Sequence, residues 1–356
     1  MKRYRLPVVA LVAALLVIGA ASLHFYRMGE GQKKIDTVRL ADGQNSIYKL
    51  PHYLAADKNF YGLHNIRIKA VECRDDRMAL AALENGEADI ALVSPHYLVL
   101  RKSSSLKTGA THVAFAALDR GTAYHLVSRD NVPLDDVKSI KGKTVIAGPP
   151  NSDETVFLEY LIKTAGLKPY ESVTIITNIP ADIRSGTLKA GTGHYQLVED
   201  KDLTAALTKG LYKVKTFKTD FPAFVCVTTA EYAKSHPETL QAFTNGLYTA
   251  QLWMKSHTAG ETAAALKNNR GLGQNSLPGL VETYYSNGHL RESPVLQGKD
   301  LEIVVQLLEQ SKELPMPVNT GEMINNDFSK AALNAIKAPP EEKQERPIIQ
   351  RLKFWD

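Results

Sequence analysis

From Thr37 onward, short apolar runs of strand length alternate with amphipathic runs of helix length. The strand patterns "TVRLADG", "NIRIKAVEC" and "ADIALVS" are separated by the helical patterns "LPHYLAADKNF" and "RMALAALENG". The apolar "IALV" of the third strand is typical of a strand buried on both faces of a parallel sheet. A second series begins at "SIKGKTVIAG" and continues through a helix at 154–165 into "SVTIIT". This order predicts an α/β fold with parallel sheets and right-handed crossovers.

The length and the charge of the chain limit the kinds of partner that we expect. At 356 residues it suits one large or two mid-sized domains. Its formal net charge is only +5, and the Lys and Arg residues are scattered rather than collected in a basic stripe with interleaved aromatics. We therefore expect no nucleic-acid partner.

The segment before the alternating series has the pattern of an export signal. Lys2, Arg3 and Arg5 precede an apolar run at 6–21, as in a secretory signal peptide. The run is also nearly as long as the roughly 20 residues of a membrane span. We expect residues 1–36 to be a cleaved signal sequence or a membrane anchor with a linker. Either alternative places the rest of the chain in the periplasm or on the extracellular face of the cytoplasmic membrane.

Two further features leave alternatives open. Cys73 and Cys226 are the only cysteines, and in an oxidising compartment they could form a disulfide or remain as two buried free thiols. No CxxC motif or Cys/His cluster indicates a metal site. The polar, Pro-containing residues 339–356 are expected to form a C-terminal extension, either docked or loose.

The segment "GPPNSDETVFLEYLIKTAG" places a helix N-terminus directly after a strand. Asn151 or Ser152 could cap the helix, since Glu154 follows Asn151 at the spacing of a capping box. Alternatively, the unpaired N–H groups and the hydroxyls of Ser152 and Thr155 could line a ligand site. The segment matches no nucleotide-binding motif, and Asp153 and Glu154 would repel a strongly anionic ligand at this point.

Polar neutral residues also follow the other predicted strands. Gln44 and Asn45 follow the first strand, Ser94 and His96 follow the third, and Thr122 lies between two extended runs. Ligands of open α/β sheets bind beyond the carboxyl ends of the strands. These residues are therefore either ordinary loop residues or the hydrogen-bonding groups of a site for a small polar molecule.

The order of these motifs resembles a known family. Residues 51–61 match "P-x-Y-x-A-x-x-x-x-x-Y/F" and residues 83–91 match "L-x-x-G-x-A-D-I-A", patterns of the NMT1/THI5-like or SsuA-like substrate-binding proteins of ABC transporters. These proteins serve nitrate, sulfonate, taurine and thiamine-precursor uptake. The resemblance continues through "DDVKSIKGKTVIAGPPNSDETVFLEYLIKTAGLKP" and "VTTAEYAKSHPETLQAFTNGLYTAQLWM", and it covers 37–335.

The resemblance implies a two-lobed α/β fold of the periplasmic-binding-protein type II. Each lobe would be a mostly parallel sheet flanked by helices, and two strands would form the hinge. Lobe one would comprise residues 37–118 and 224–338, and lobe two residues 119–223. By position, the ligand loops of the family correspond to Gln44 and Asn45, to Ser94 and His96, and to 151–155, including Asn151, Ser152, Asp153 and Thr155.

The sequence departs from the family near the end of lobe two. Where the family commonly has "G-x-v-D-A-x-x-x-x-E-P", this chain has "AGTGHYQLVEDKDL". His194 stands near the usual Asp, and Asp200 stands where Pro is usual. Glu199 could therefore keep the role of the family's Glu in the cleft, or it could be a surface helix residue.

These patterns predict a solute-binding protein that captures a small polar or anionic organic solute and delivers it to ABC transporter permease subunits. We expect a monomer without a cofactor or a metal, in contact with the membrane only if the N-terminal segment is uncleaved. One alternative is an enzyme on the same scaffold, since related pyrimidine synthases resemble this family, although they carry a Cys-rich motif that is absent here. Another alternative is a membrane-anchored sensory binding module.

Overall fold

The computed structural model describes residues 35–43, 45–104, 111–267, 272 and 277–339. Gln44, nearly all of the predicted signal or anchor, and all but the first residue of the predicted C-terminal extension lie outside these ranges. The pattern of contacts between residues divides the chain into two compact units, and the second of these is residues 37–356. Within the described ranges, no helix combines the length and the apolar character that a membrane span requires.

Ten strands lie in the described residues, and several of them overlap the segments in which the sequence predicts strands. They are β1 (Asp36–Asp42), β2 (Ile66–Glu72), β3 (Ile90–Val93), β4 (His112–Ala117), β5 (Ala123–Ser128), β6 (Thr144–Ile146), β7 (Thr174–Ile176), β8 (Tyr195–Glu199), β9 (Tyr212–Lys218) and β10 (Val225–Thr229).

Twelve α-helices connect and cover these strands in the same ranges. They are α1 (Leu50–Asp57), α2 (Asp76–Glu84), α3 (Pro95–Ser104), α4 (Asp153–Thr164), α5 (Ala181–Lys189), α6 (Asp200–Thr208), α7 (Ala230–Ser235), α8 (Pro237–Ser256), α9 (Ala259–Ala265), α10 (Leu277–Ser286), α11 (Gly298–Ser311) and α12 (Asp327–Ala335).

The strands form two five-stranded sheets. The first sheet has the order β2-β1-β3-β10-β4, and the second has the order β7-β6-β8-β5-β9. The predicted parallel pairing is present, because β1 is parallel to β3 and β6 is parallel to both β7 and β8. In addition, β10 is antiparallel to both of its neighbours in the first sheet, and β5 is antiparallel to both of its neighbours in the second. Both β5 and β10 are the first strand after the chain crosses from the other sheet. Their direction is therefore set by the crossing rather than by a βαβ connection, which would make them parallel to a neighbour.

Local sequence signals set the ends of the helices that face the strand ends. Asp75 caps α2 by accepting from the Met78 N–H, and Ser152 caps α4 by accepting from the Thr155 N–H. Gly86 follows α2 with φ +68°, as predicted for a left-handed helix terminator. Both helices therefore begin directly beyond a strand, with their first turns toward the space between the sheets.

The chain crosses between the sheets twice, and the two crossings are hydrogen-bonded to each other. The Thr219 N–H donates to Thr122 O at 2.9 Å, and the Thr122 N–H donates to Thr219 Oγ1 at 2.9 Å. The carboxylate of Asp119, in the first crossing, accepts from the N–H groups of Ala223 and Phe224, in the second, at 2.8 and 3.0 Å. The crossings thus form the two-strand hinge that the family resemblance implies.

The two cysteines are not bonded to each other, and both thiols are free. Cys226 is buried in β10, whereas Cys73, which follows β2, is only half-buried. The expectation of two buried free thiols is therefore met for Cys226 and only in part for Cys73.

Replacing Gly121 in the first crossing should strongly destabilise the protein. Gly121 has φ +143°, and a Cβ there would lie 2.6 Å from Thr219 Oγ1 and 2.7 Å from Thr219 O. We expect Gly121→Ala to lower the free energy of unfolding, measured by urea titration, by about 2–4 kcal/mol. Gly186→Ala is the control: it lies in α5 with nothing within 4 Å of the new Cβ, and it should stabilise by up to about 1 kcal/mol. Equal effects of the two variants would contradict this account of the hinge.

Candidate functional site

A cavity of about 440 Å³ lies between the two sheets and is lined by residues of both. Its first wall consists of residues that follow β1 and β3, together with the first turn of α2 and part of α11. Its second wall consists of residues that follow β6 and β8, with the first turns of α4, α5 and α6. Its floor comes from the crossings, through Thr122, Phe221, Ala223 and Phe224. The helix α11 packs on both α3 and α4, and therefore joins the two walls.

Most of the residues predicted from strand ends lie at this cavity. They come from both walls and from the first crossing: Asn45, Ser94, His96, Thr122, Ser152, Asp153 and Glu199. Gln44 lies outside the described residues. Glu199 ends β8 and is half-buried, so it does not lie on an exposed helix surface. His194 pairs with Thr144 at the start of β6, where the Thr144 N–H donates to His194 Nδ1 at 3.1 Å.

Two predicted residues are not brought to the cavity lining. Asn151 has a left-handed backbone conformation, φ +60°, and its amide nitrogen lies 2.9 Å from the Glu313 carboxylate. Thr155 is buried, and its hydroxyl donates to Gly148 O at 2.8 Å. Both side chains are therefore occupied in shaping the turn before α4.

Asp153 connects the two walls. Ser94 Oγ donates to Asp153 Oδ1 at 3.2 Å, and His96 Nδ1 lies 2.5 Å from the same oxygen. Burial alone would raise the pKa of Asp153, but His96 and Ser94 together hold it below its usual value. An ionised carboxylate oxygen can only accept, so His96 Nδ1 is the donor in this contact. His96 Nε2 is buried without a hydrogen-bond partner among the described residues.

A second connection runs from the first wall through the hinge to Glu199. The hydroxyls of Tyr48 and Thr122 lie 2.5 Å apart, and Thr122 Oγ1 donates to Glu199 Oε1 at 3.2 Å. Lys201 Nζ lies 2.5 Å from the other carboxylate oxygen of Glu199. Glu199 is thus held by the hinge on one side and by the first turn of α6 on the other.

A third connection, beside the cavity, is centred on Asp200. The buried carboxylate of Asp200 is bonded to His125 Nε2 of β5, to His289 Nε2 at 2.5 Å and to Asn287 Nδ2 at 2.9 Å. Burial opposes its ionisation, but these hydrogen bonds hold the pKa of Asp200 far below its usual value. The residue at which this chain departs from the family pattern therefore ties α6 to the segment that follows α10.

Two other carboxyl groups line the walls of the cavity, the buried Asp76 and the half-buried Glu154. Asp76 accepts from the Ser94 N–H at 2.6 Å, and burial raises its pKa to about 6. Glu154 lies 3.2 Å from Arg184 Nη1, and burial raises its pKa to about 7. These groups could accept hydrogen bonds or exchange a proton near neutral pH when the cavity is filled.

The prediction of site residues missed the aromatic and aliphatic part of the lining. Tyr124 and Phe157 stack with ring centroids 4.6 Å apart, and Leu307 and Leu308 of α11 complete this side. Nothing in the local sequence of α11 indicates that its apolar face reaches the cavity.

Two mixed five-stranded sheets, two paired crossings and a cavity between the strand ends define the two-lobed fold of the periplasmic binding proteins. The structure of the periplasmic aliphatic sulphonate binding protein SsuA from Escherichia coli superposes with a TM-score of 0.66 at 17% identity. The alignment covers 87% of this chain and 94% of that chain. Residues 46–259, more than half of the chain, match the family model described as NMT1/THI5 like. The chain belongs to this family.

Relatives in the family include a binding protein and an enzyme. YtlA of Bacillus subtilis (strain 168), which carries the name of a binding protein without a stated solute, is 24% identical over 307 residues. That alignment covers 84% of this chain and 90% of YtlA. The 4-amino-5-hydroxymethyl-2-methylpyrimidine phosphate synthase of Schizosaccharomyces pombe is 22% identical over 228 residues, which is 60% of this chain and 64% of the synthase.

Proposed function

We propose that the protein captures a small organic solute in the cavity between two lobes and delivers it to the permease of an ABC transporter. The observation that carries this proposal is the bond of Asp153 across the cavity to Ser94 and His96. Hydrogen bonds between groups on opposite walls stabilise a closed form of the cavity. A solute that contacts both walls adds to that stabilisation. The match to YtlA over most of both chains supports a binding role rather than catalysis.

The proposed lobes are residues 37–118 with 224–338, and residues 119–223. All strands of the second sheet lie between Ala123 and Lys218, and all strands of the first lie outside that range, which supports these boundaries. The hinge would lie at the paired crossings, where a few backbone dihedral changes open the cavity. We further propose that the N-terminal segment places both lobes outside the cytoplasmic membrane, as a freely diffusing or anchored monomer.

Native mass spectrometry of protein purified without denaturation tests the binding role. We expect a small molecule bound with one-to-one stoichiometry that is released when the protein is unfolded. Deleting the gene should then abolish uptake of that molecule by cells, and a plasmid copy should restore it. Turnover of the molecule by the purified protein would contradict the proposal and favour the enzyme alternative, and uptake that is unaffected by the deletion would contradict delivery to a permease.

Replacing Ser94 should weaken binding of the solute identified in this way. Ser94→Ala removes the hydroxyl that joins the walls through Asp153, and a hydrogen bond to a charged group contributes about 1.5–3 kcal/mol. Isothermal titration calorimetry should therefore show an affinity lower by roughly ten- to hundredfold. Ser104→Ala is the control, since the Ser104 hydroxyl bonds only to carbonyls of its own helix. Unchanged affinity in Ser94→Ala would remove this bridge from the binding mechanism.

A further inference from the structure

The charged side chains that line the cavity are mostly carboxylates. Its lining contains two cations, Arg184 and Lys201, against six carboxylates: Asp75, Asp76, Asp153, Glu154, Glu199 and Asp202. We infer that the solute is an organic cation, a protonated amine or amidine joined to a flat apolar body. This inference rests on the proposed function, because it assigns the chemistry of the ligand in the same cavity.

Both cations of the lining are already paired with carboxylates. Arg184 Nη1 lies 3.2 Å from Glu154 and its Nε donates to Ile179 O at 2.9 Å, while Lys201 Nζ lies 2.5 Å from Glu199. An anionic solute that displaced either carboxylate would leave it partly buried without its counter-charge. Such a loss is strongly unfavourable in a site of low dielectric constant. In the described part of the lining, the charge of each cation is therefore already balanced by a carboxylate.

A simpler explanation is that the carboxylates only serve the helices in whose first turns or caps they lie, since helix N-termini attract negative charge. The hydrogen bonds contradict this for most of them. Asp75 alone among these acceptors caps its own helix, through the Met78 N–H. Four of the other five carboxylates accept from groups outside their own helix or from a charged side chain: Asp76 from Ser94, Asp153 from Ser94 and His96, Glu154 from Arg184, and Glu199 from Thr122 and Lys201.

One carboxylate oxygen in the lining remains for a donor on the solute. Both contacts of Asp153 use Oδ1, its side chain is 40% exposed, and among the described residues its Oδ2 has no hydrogen-bond partner. Beside it, His96 is 5% exposed, and its buried Nε2 has no partner in the described part of the chain. A positively charged group with N–H donors matches the open oxygen of Asp153.

The rest of the lining favours a flat apolar body. The stacked Tyr124 and Phe157, with Phe221 and Leu308, form an apolar surface beside the carboxylates. Aromatic faces attract cations as well as flat rings. The cavity volume of about 440 Å³ lies in the lower half of the range of small-molecule sites, about 300–1,000 Å³.

The buried carboxyl groups supply a pH dependence that distinguishes a cation from an anion. Glu154 faces Arg184, Lys201, Glu199 and Asp202 and has a pKa raised to about 7 by burial. Asp76 faces Lys49, Asp153 and Asp42 and has a pKa raised to about 6 by burial. Each is neutral below its pKa and negative above it, so a cation should bind more tightly as the pH rises from 5.5 to 8, and an anion should bind less tightly.

Calorimetry with matched sets of compounds tests the inference. Each set has one aromatic core, phenyl, indole or pyrimidine, that carries an ethylamine, its neutral alcohol or its carboxylate. We expect at least one amine to bind at least tenfold tighter than its alcohol, with no binding of its carboxylate, and to bind more tightly at pH 8 than at pH 5.5. Preferred binding of carboxylates would overturn the cation assignment and leave the solute-binding function standing. If no amine binds, the assignment is also overturned, and native mass spectrometry still decides the proposed function.

Asp153→Asn examines the residue assigned to the positive group. We expect its affinity for the best amine to fall by roughly ten- to hundredfold, the effect of a lost charged hydrogen bond. Glu282→Gln is the control, because it also removes one negative charge, but from an exposed position on α10. It should leave the affinity unchanged. Should Asp153→Asn fail to fold, the pH dependence of the unaltered protein still decides, because an amine affinity that does not rise with pH would contradict the inference.

Discussion

Replacing Asp200 by alanine should lower the free energy of unfolding by about 3–5 kcal/mol, the usual loss when one partner of a buried charged cluster is removed. Asp200 is 4% exposed, and its carboxylate accepts from His125, His289 and Asn287. The alanine variant would leave the ring N–H groups of the buried His125 and His289, and the amide of the half-buried Asn287, without this acceptor. Urea titration at pH 7 measures the change.

The pH dependence separates the charge of Asp200 from its packing. The folded protein holds the pKa of Asp200 below its usual value, and the unfolded value is about 3.9. Its ionisation therefore contributes stability that is fully present above about pH 4 and is lost as the pH falls toward the folded pKa. We expect the difference between the unaltered protein and Asp200→Ala to be constant above about pH 5 and to shrink below pH 4.

Asp182→Ala is the matched control for Asp200→Ala. Asp182 is also an acidic residue in the first turn of a helix, α5, but it is exposed. Its loss should lower the stability by less than about 1 kcal/mol. A similarly small effect for Asp200→Ala, or a difference that does not change with pH, would show that the cluster does not tie α6 to the segment after α10.

The sequence could predict the site residues that follow strands, because the order of strands and helices determines which loops lie together. Carboxyl ends of neighbouring parallel strands meet at one edge of a sheet, so the loops after β1 and β3 must lie together. Asn45, Ser94 and His96 follow from this rule without any knowledge of side-chain packing. The placement of Ser152 and Asp153 in the facing lobe came instead from the resemblance to the family, whose ligand loops include the one after the first strand of lobe two.

Orientation within a loop was not predictable from position alone. Asn151 and Thr155 flank Ser152 and Asp153 at the start of α4. The left-handed backbone of Asn151 directs its side chain to Glu313. A hydrogen bond holds the hydroxyl of Thr155 at Gly148 O. Only the packed turn decides which of neighbouring polar side chains reach the cavity.

Contacts between distant parts of the chain were not predictable either. Asp200 bonds to His125 and His289, which are 75 and 89 residues away in the sequence. The apolar face of α11 looks like that of any amphipathic helix, although Leu307 and Leu308 reach the cavity. These contacts depend on the arrangement of the two sheets, about which a single amphipathic pattern contains no information.

Among the cations near the first wall of the cavity, Lys49 should be the one whose loss most lowers the stability of the protein. Its side chain is fully buried, its ammonium group pairs with Asp42, and it lies 4.4 Å from the centroid of the Phe224 ring. Its charge also lowers the pKa of Asp76, which burial raises to about 6. We expect Lys49→Met to lower the free energy of unfolding at pH 8 by about 3–5 kcal/mol, because it leaves buried carboxylates without their counter-charge.

The sign of the pH dependence identifies the cause of this loss. Without Lys49 the folded pKa of Asp76 should rise further above its unfolded value, so the ionised form becomes more costly as the pH rises. The variant should therefore lose stability from pH 5 to pH 8 more steeply than the unaltered protein does, as measured by urea titration. Lys330→Met is the control, because it makes the same substitution at an exposed position on α12. It should change neither the stability nor the dependence of the stability on pH. The double variant Asp42→Asn, Lys49→Met should recover part of the loss, because it removes one of the stranded charges. No recovery would mean that the charge of Asp42 does not contribute to the loss.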